Sequence, residues 1–549
     1  MKMKQGVSVG VLVAAAVLLA PVYGPAVRAQ AQGQAREPEP PQGIAPPVAR
    51  AQATGQTGDD VEAIQHSVMT VYRLVEKNFA DPVDSEKVFY SGAIPGMLRT
   101  LDPHSNFVDP KEYSEMQRKM HAQYFGVGME IWMDGGHVVV IRPFPGSPAW
   151  KADLRRGDVI SAVNGTDTKG LDSSAVADML RGPRGTPVRV TVKREGVPDP
   201  ISVEVTRDAI ETSIVDAFWL QPGIVYLKID SFEAQNVARD VEANMARLGE
   251  AGVKGMILDL RENPGGLVSE AVSVAGRFLK DGAIVVSHHG RVEAEQVFRA
   301  KAVAAAQKYP IVVLVNERSA SAAEIVSGAL QDHDRAWIMG ATTFGKGLVQ
   351  AQFPLHEGAA LLLTIAHYYT PSGRLIQRDY SHASFYDYYT HHGDDQPTQD
   401  IKATDSGRKV YGGGGVTPDE KYPSHVYNLF ERRTLGTLAF MHFGNTYWGA
   451  AKPSLPPGWQ PDSGVVERFR AYLKTTSIPF TDEEFNANLD FVKRELRYEL
   501  YFRAFDKTTA ERAKWAEDPE AGKAVESLPK AQALLDTVQR VLAELGNRG

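Results

Sequence analysis

Three textures of apolar and polar spacing follow one another along the chain. Val61, Ile64, Val68, Val71, Tyr72 and Val75 keep one face apolar at helical spacing, which predicts an amphipathic helix. Asp81-Pro82 interrupts it, and helical stretches resume at 88–98 and 111–120, so a small helical collar is expected over 59–122. Over 123–207 the spacing turns β-like and is cut by turns. Strands are predicted at 138–142 and 188–193, a short helix at 171–180, and a strand at 158–163 running into the turn Asn164-Gly165.

Over 208–424 strands and helices alternate. Strands are predicted at 224–229, 256–260, 284–287, 311–315, 337–339 and 361–367, with helices at 236–248, 269–279 and 323–331 between them. This βαβ order predicts an α/β core around a partly parallel sheet, whose sites form at the carboxyl ends of the strands. Over 425–549 the pattern is helical again, with amphipathic stretches at 491–505 and 531–545.

At 549 residues, the chain is too long for a single core. A net charge of −7 gives no electrostatic basis for binding nucleic acid. The absence of cysteine removes disulfides, thiolate metal sites and cysteine nucleophiles. Lys2 and Lys4 precede an apolar run at 7–20 and the small-residue stretch ending in Ala29-Gln30-Ala31. That order predicts a signal peptide over 1–29 and export to a bacterial periplasm, with an uncleaved membrane anchor as the competing reading. Residues 30–58, rich in Gln, Pro, Gly and Ala, read as a disordered linker.

The chemistry concentrates between Arg318 and Gln350. Ser321 falls where the 311–315 strand gives way to a helix, and the unpaired N–H groups of a helix start favour developing negative charge. A serine there more commonly serves only as an N-cap. Lys346, in the apolar and glycine-rich Phe344-Gly345-Lys346-Gly347, shifts the balance, because a buried lysine loses its proton readily enough to act as a base. Read alone, an exposed loop lysine remains the alternative. Gly340 to Lys346 matches the spacing of a phosphate-binding loop, but Gly347 replaces the required Ser/Thr and a strand follows instead of a helix. His333 is excluded as a triad partner, lying roughly 18 Å along the helix from Ser321 at ~1.5 Å per residue. The histidine pairs His288/His289 and His391/His392 lack a metal-ligand spacing and are expected to be solvated, so neither a metal nor a cofactor is expected. For an oxyanion hole, Ala322 N–H is one donor by position, with Gly265 or Gly266 as the second. Gln350 is placed to orient the lysine amine.

The order of motifs resembles that of the carboxyl-terminal processing proteases, the S41-type or tail-specific Ser-Lys peptidases with an embedded PDZ domain. The shared pieces are Leu101-Asp102-Pro103-His104-Ser105, Phe125-Gly126-Val127-Gly128, Gly146-Ser147-Pro148-Ala149, Gly157-Asp158-Val159-Ile160, Asp259-Leu260-Arg261, Pro264-Gly265-Gly266, Ser319-Ala320-Ser321-Ala322, Thr343 to Gly347, and Gly412-Gly413-Gly414. The resemblance covers about 60–422. It implies a multidomain α/β protein: a crotonase-like ββα protease core over 208–424, an inserted PDZ domain over 123–207, and helical regions at both ends. It further implies Ser321 as nucleophile, Lys346 as general base, Gln350 as its orienting partner, and Ala322 with Gly265 or Gly266 as oxyanion donors. Phe125, Gly126, Val127, Gly128 and Met129 become the loop and edge strand that capture apolar C-terminal tails of protein or peptide substrates. A homo-oligomer and an adaptor protein are left open, as is a catalytically silent PDZ scaffold. No motif places 425–549.

Overall fold

The computed structural model describes residues 58–546, apart from 121–122, 212–213, 302–308, 382–384, 391–399, 452–454 and 457. The expected signal peptide, all but the last residue of the expected linker, and the pair His391/His392 lie outside the described residues. The described residues divide into two units, 58–101 and 102–546. In the smaller, the amphipathic helix Gly58–Asn78 places Tyr72 against Phe89, with ring centroids 4.9 Å apart, and its hydroxyl 2.5 Å from Ser85 Oγ. The expected helix at 88–98 continues from a first turn at Ser85–Val88 through one π-helical turn, Phe89–Ala93, into Ile94–Leu98.

The core of the larger unit is built around two sheets. The first has the order Val215–Gln221, Ile224–Ile229, Gly255–Asp259, Ile311–Val315, Trp337–Gly340, Glu420–Lys421. Its first pair is antiparallel and the rest are parallel. Alternation along each strand sorts side chains to opposite faces. Met256, Leu258, Ile311 and Val313 pack with helices Val237–Leu248, Val268–Phe278 and Ala322–Asp332. Ile257, Val312, Leu314 and Met339 pack instead with Ala521, Ala524, Leu528 and Ala531 of the last helix, Pro519–Gly546. Part of the C-terminal region therefore supplies the second cover of a sheet whose two apolar faces both need one.

The strands expected at 284–287 and 361–367 do not join this sheet. They form Ile284–His289 and Ala360–Tyr369 in a separate antiparallel sheet with Asn106–Val108, Leu348–Pro354 and Gln296–Arg299. Apolar spacing identifies a strand without identifying its neighbour. His288 is also not solvated: only 3% exposed, it stacks on Phe298, because one of two adjacent strand residues must face inward.

The inserted β-domain has the strand order Met129–Asp134, His137–Pro143, Val159–Val163, Pro187–Lys193, Ile201–Thr206. Val138, Val140, Ile160, Val188, Val190 and Val192 fill its interior. Its expected helix spans Ser173–Leu180 and packs beside Met129–Asp134.

Residues after Tyr422 form a helical bundle with a phenylalanine-rich core in which Phe440 stacks on Phe469 at 4.6 Å. This bundle docks on the β-domain. Arg156 of the β-domain makes a two-pronged bond to buried Glu499, with Nε–Oε1 at 2.9 Å and Nη2–Oε2 at 2.7 Å, and lies over the Phe502 ring. Arg503 approaches the same carboxylate at 3.0 Å. Burial pushes the Glu499 carboxyl upward, but the two guanidinium groups outweigh it and hold the group ionised. Arg156→Ala leaves a buried carboxylate short of one partner and is expected to cost about 3 kcal/mol in denaturant unfolding, with earlier proteolytic cleavage between the β-domain and the bundle.

Candidate active site

After strand Ile311–Val315 the chain turns sharply into helix Ala322–Asp332. Ser319 is structural: its hydroxyl accepts Asn316 N–H at 2.9 Å and donates to Leu260 O at 2.8 Å. Ser321 occupies the cap position but does not cap. Its Oγ is buried and bonds to no described residue. Its backbone, at φ 54° and ψ −112°, lies where an L-residue is strained by about 1–3 kcal/mol.

Lys346 lies between strands Trp337–Gly340 and Leu348–Pro354 and is 2% exposed. Its Nζ donates to Gln350 Oε1 at 3.1 Å, and Gln350 Nε2 donates to His104 O at 2.5 Å. The register of Leu348–Pro354 on its partner strand shifts between Val349 and Gln350, which turns Gln350 toward the lysine. Burial lowers the Lys346 pKa to about 8, opposed in part by the charges of Asp102 and Glu324.

Glu324, one turn into the helix, joins the two residues. Its Oε2 accepts the backbone N–H of Ser321 at 2.7 Å and that of Lys346 at 2.9 Å. Its Oε1 accepts Gly345 N–H at 2.7 Å and the Thr343 hydroxyl at 2.5 Å. Burial raises its pKa to about 7 in spite of these four donors. On the carbonyl side, the buried Tyr368 hydroxyl reaches both Ser321 O, at 3.1 Å, and Lys346 O.

The loop after strand Gly255–Asp259 lies directly against Ser321. A Cβ on Gly265 would stand 2.8 Å from Ser321 Cβ and 2.9 Å from Ala322 N, so no other residue fits. Gly265 is not a free oxyanion donor, because its N–H is committed to Asn263 Oδ1 at 2.9 Å. His104 is enclosed by Tyr388 and Tyr389, whose hydroxyls lie 3.0 Å and 3.1 Å from its two ring nitrogens. Burial, with Lys346 and Arg378 nearby, holds its pKa well below the ordinary value. His333 binds Asp405 and Ile284 O at the far end of the helix, away from Ser321.

In the β-domain, strand Met129–Asp134 has one strand neighbour among the described residues and so presents an edge beside helix Ser173–Leu180. Val127 and Met129 are buried, and Phe125 is 44% exposed. A cavity of about 450 Å³ lies elsewhere on this domain, lined by Lys151, Arg184 and Arg207 with Glu204 and Asp208.

Sequence reasoning singled out Ser321, Lys346, Gln350 and Ala322, and the fold gathers them together with the Gly265-Gly266 loop. It did not single out Glu324 or Tyr368. Ser321-Ala322-Ala323-Glu324 carries the Ser-x-x-Glu spacing of a capping box, a signal for the glutamate. Tyr368 gave no such signal.

A family model described as peptidase family S41 matches residues 223–381, and a PDZ domain model matches 139–194. The carboxy-terminal-processing protease of Bartonella bacilliformis is 39% identical over 314 residues, spanning 56% of this chain and 71% of the relative. The carboxyl-terminal-processing protease of Synechocystis sp. is 37% identical over 312 residues, spanning 56% and 72%. Among solved structures, the photosystem II D1 C-terminal processing protease is 29% identical, covering 65% of this chain and 93% of that chain at a TM-score of 0.35.

Carbon-13 NMR of lysine-labelled protein is expected to show one amine, absent from Lys346→Met, titrating near pH 8, while exposed lysines titrate near ~10.4.

Proposed function

The chain belongs to the S41 carboxy-terminal-processing serine proteases that carry a PDZ domain, and from that premise we propose that Ser321 is its nucleophile and Lys346 its general base. The observation that carries the reading is the buried Ser321 Oγ, without a partner among the described residues, whose main chain shares one carboxylate oxygen with a buried lysine of lowered pKa. Neutral Lys346 Nζ takes the Ser321 proton as Oγ bonds to the scissile carbonyl carbon. The carbonyl oxygen becomes an oxyanion, for which Ala322 N–H and Gly266 N–H are the donors. The lysine ammonium then returns the proton to the departing amine as the C–N bond breaks. Water, deprotonated by the same lysine, releases the acyl group and restores Ser321. Gln350 aims the lysine amine throughout. The open Ser321 hydroxyl is a resting geometry that tightens when substrate binds.

The PDZ domain delivers the substrate. An apolar C-terminal tail adds as a strand to the edge of Met129–Asp134, and the terminal carboxylate is received at Val127-Gly128, where the chain leaves strand Gln123–Gly126; Phe125 and Gly126, expected in the loop, are paired there with Ala209 and Asp208. The scaffold reading finds no observation in its favour. Lys2, Lys4 and the apolar run at 7–20 support export to the periplasm, with the protein soluble or held by an uncleaved signal. The three-four spacing of Val61, Ile64, Val68, Val71 and Val75 supports a homo-oligomer joined through the first helix.

Ser321→Ala and Lys346→Ala are each expected to lower cleavage of an unfolded, apolar-tailed protein by at least ~10³-fold with little change in melting temperature. The lysine must be neutral to act, so kcat/KM should be flat above about pH 8 and fall roughly tenfold per pH unit below it. A pH-independent rate between 6 and 9 would remove lysine from the base role. Ending the substrate in charged residues should raise KM several-fold and leave kcat nearly unchanged.

A further inference from the structure

Two residues 25 positions apart must face each other to act, and no bond between their side chains holds them there in the resting site. Their main chains are instead linked at both ends. Glu324 Oε2 takes both N–H groups, and the Tyr368 hydroxyl reaches both carbonyl oxygens. We propose that Tyr368 is a positioning residue for the dyad, setting with Glu324 the spacing between Ser321 and Lys346. The inference rests on the dyad reading above and goes beyond it by giving the alignment a cause.

Three observations carry it. Ser321 keeps a strained backbone, which persists only where its surroundings hold it. Tyr368 is itself fixed, since its N–H donates to Gly347 O at 3.0 Å, beside the lysine. The phenol remains a donor at all working pH values, because burial holds its pKa well above the ordinary value. An aromatic ring alone would fill the core equally well, so the hydroxyl is the part that packing does not require.

The test uses the full chain, an unfolded protein ending in an apolar tail, and a fluorophosphonate that labels the nucleophile. Tyr368→Phe keeps the ring and removes the link. It should lower kcat by ~10- to 100-fold, the effect of a misplacement near 1 Å, with KM and tail-peptide affinity within about twofold. Fluorophosphonate labelling should slow in parallel. A kcat within about twofold of the parent, or a loss confined to KM, overturns the proposal. Should Tyr368→Phe fail to fold, Glu324→Gln decides, with the same kcat-only loss expected and an unchanged kcat overturning it. Ser321→Ala separates the two levels. If it still cleaves, the dyad and this inference fall together. If it is inactive while Tyr368→Phe is fully active, only the positioning role is lost.

Discussion

A lysine serves as a base near neutral pH only where water cannot stabilise its ammonium form. Lys346 meets that condition by burial, and much of the surrounding structure follows from it. A buried amine must still be satisfied, hence Gln350, and Gln350 must be aimed, hence the shift in strand register and its anchor on His104 O. The loop carrying the lysine cannot rely on solvent for its own N–H groups. Glu324 takes them in its place, accepting desolvation that lifts its pKa to about 7. The burial that lowers the Lys346 pKa therefore also creates the need for the carboxylate that joins its loop to Ser321.

The glycine loop against Ser321 is organised by the same logic of committed donors. Asn263 consumes the Gly265 N–H, so the loop is stiff where it touches Ser321. Two residues before Asn263, Arg261 bonds Asp259, Asp518 and Glu520 and lies over Trp515. Asp518 and Glu520 belong to the C-terminal region. A segment that no family motif places thus braces the foot of the loop beside Ser321.

Much of the site was legible in the sequence because its chemistry is local. A serine at a strand-to-helix turn, a lysine in an apolar glycine-rich loop and a glutamine four residues on are all adjacent to recognisable patterns. The α/β alternation likewise predicted the parallel sheet. What escaped depended on long-range pairing. Period-two spacing does not reveal that Ile284–His289 and Ala360–Tyr369 leave that sheet to form another, nor which of His288 and His289 turns inward. Tyr368 reads as one more strand aromatic until the fold brings two distant carbonyls to its hydroxyl. The amphipathic tail was readable as helix, but its partners, a sheet face and the PDZ domain, were not.

The docking of the bundle on the PDZ domain bears on how freely such modules can be exchanged. Glu499 requires a guanidinium opposite it, and Asn445 lies so close to Gly157 that an added Cβ would come within 2.1 Å of its amide nitrogen. A PDZ domain grafted from a relative without this bundle would need an arginine at position 156 to match Glu499, while the glycine at 157 is already part of the shared motif and of a left-handed turn. Without the arginine it would bury a charge short of one partner, and any side chain at 157 would displace the Asn445 amide. Exchange of the PDZ domain in this chain is thereby restricted by the one buried ion pair at the surface where the two modules meet.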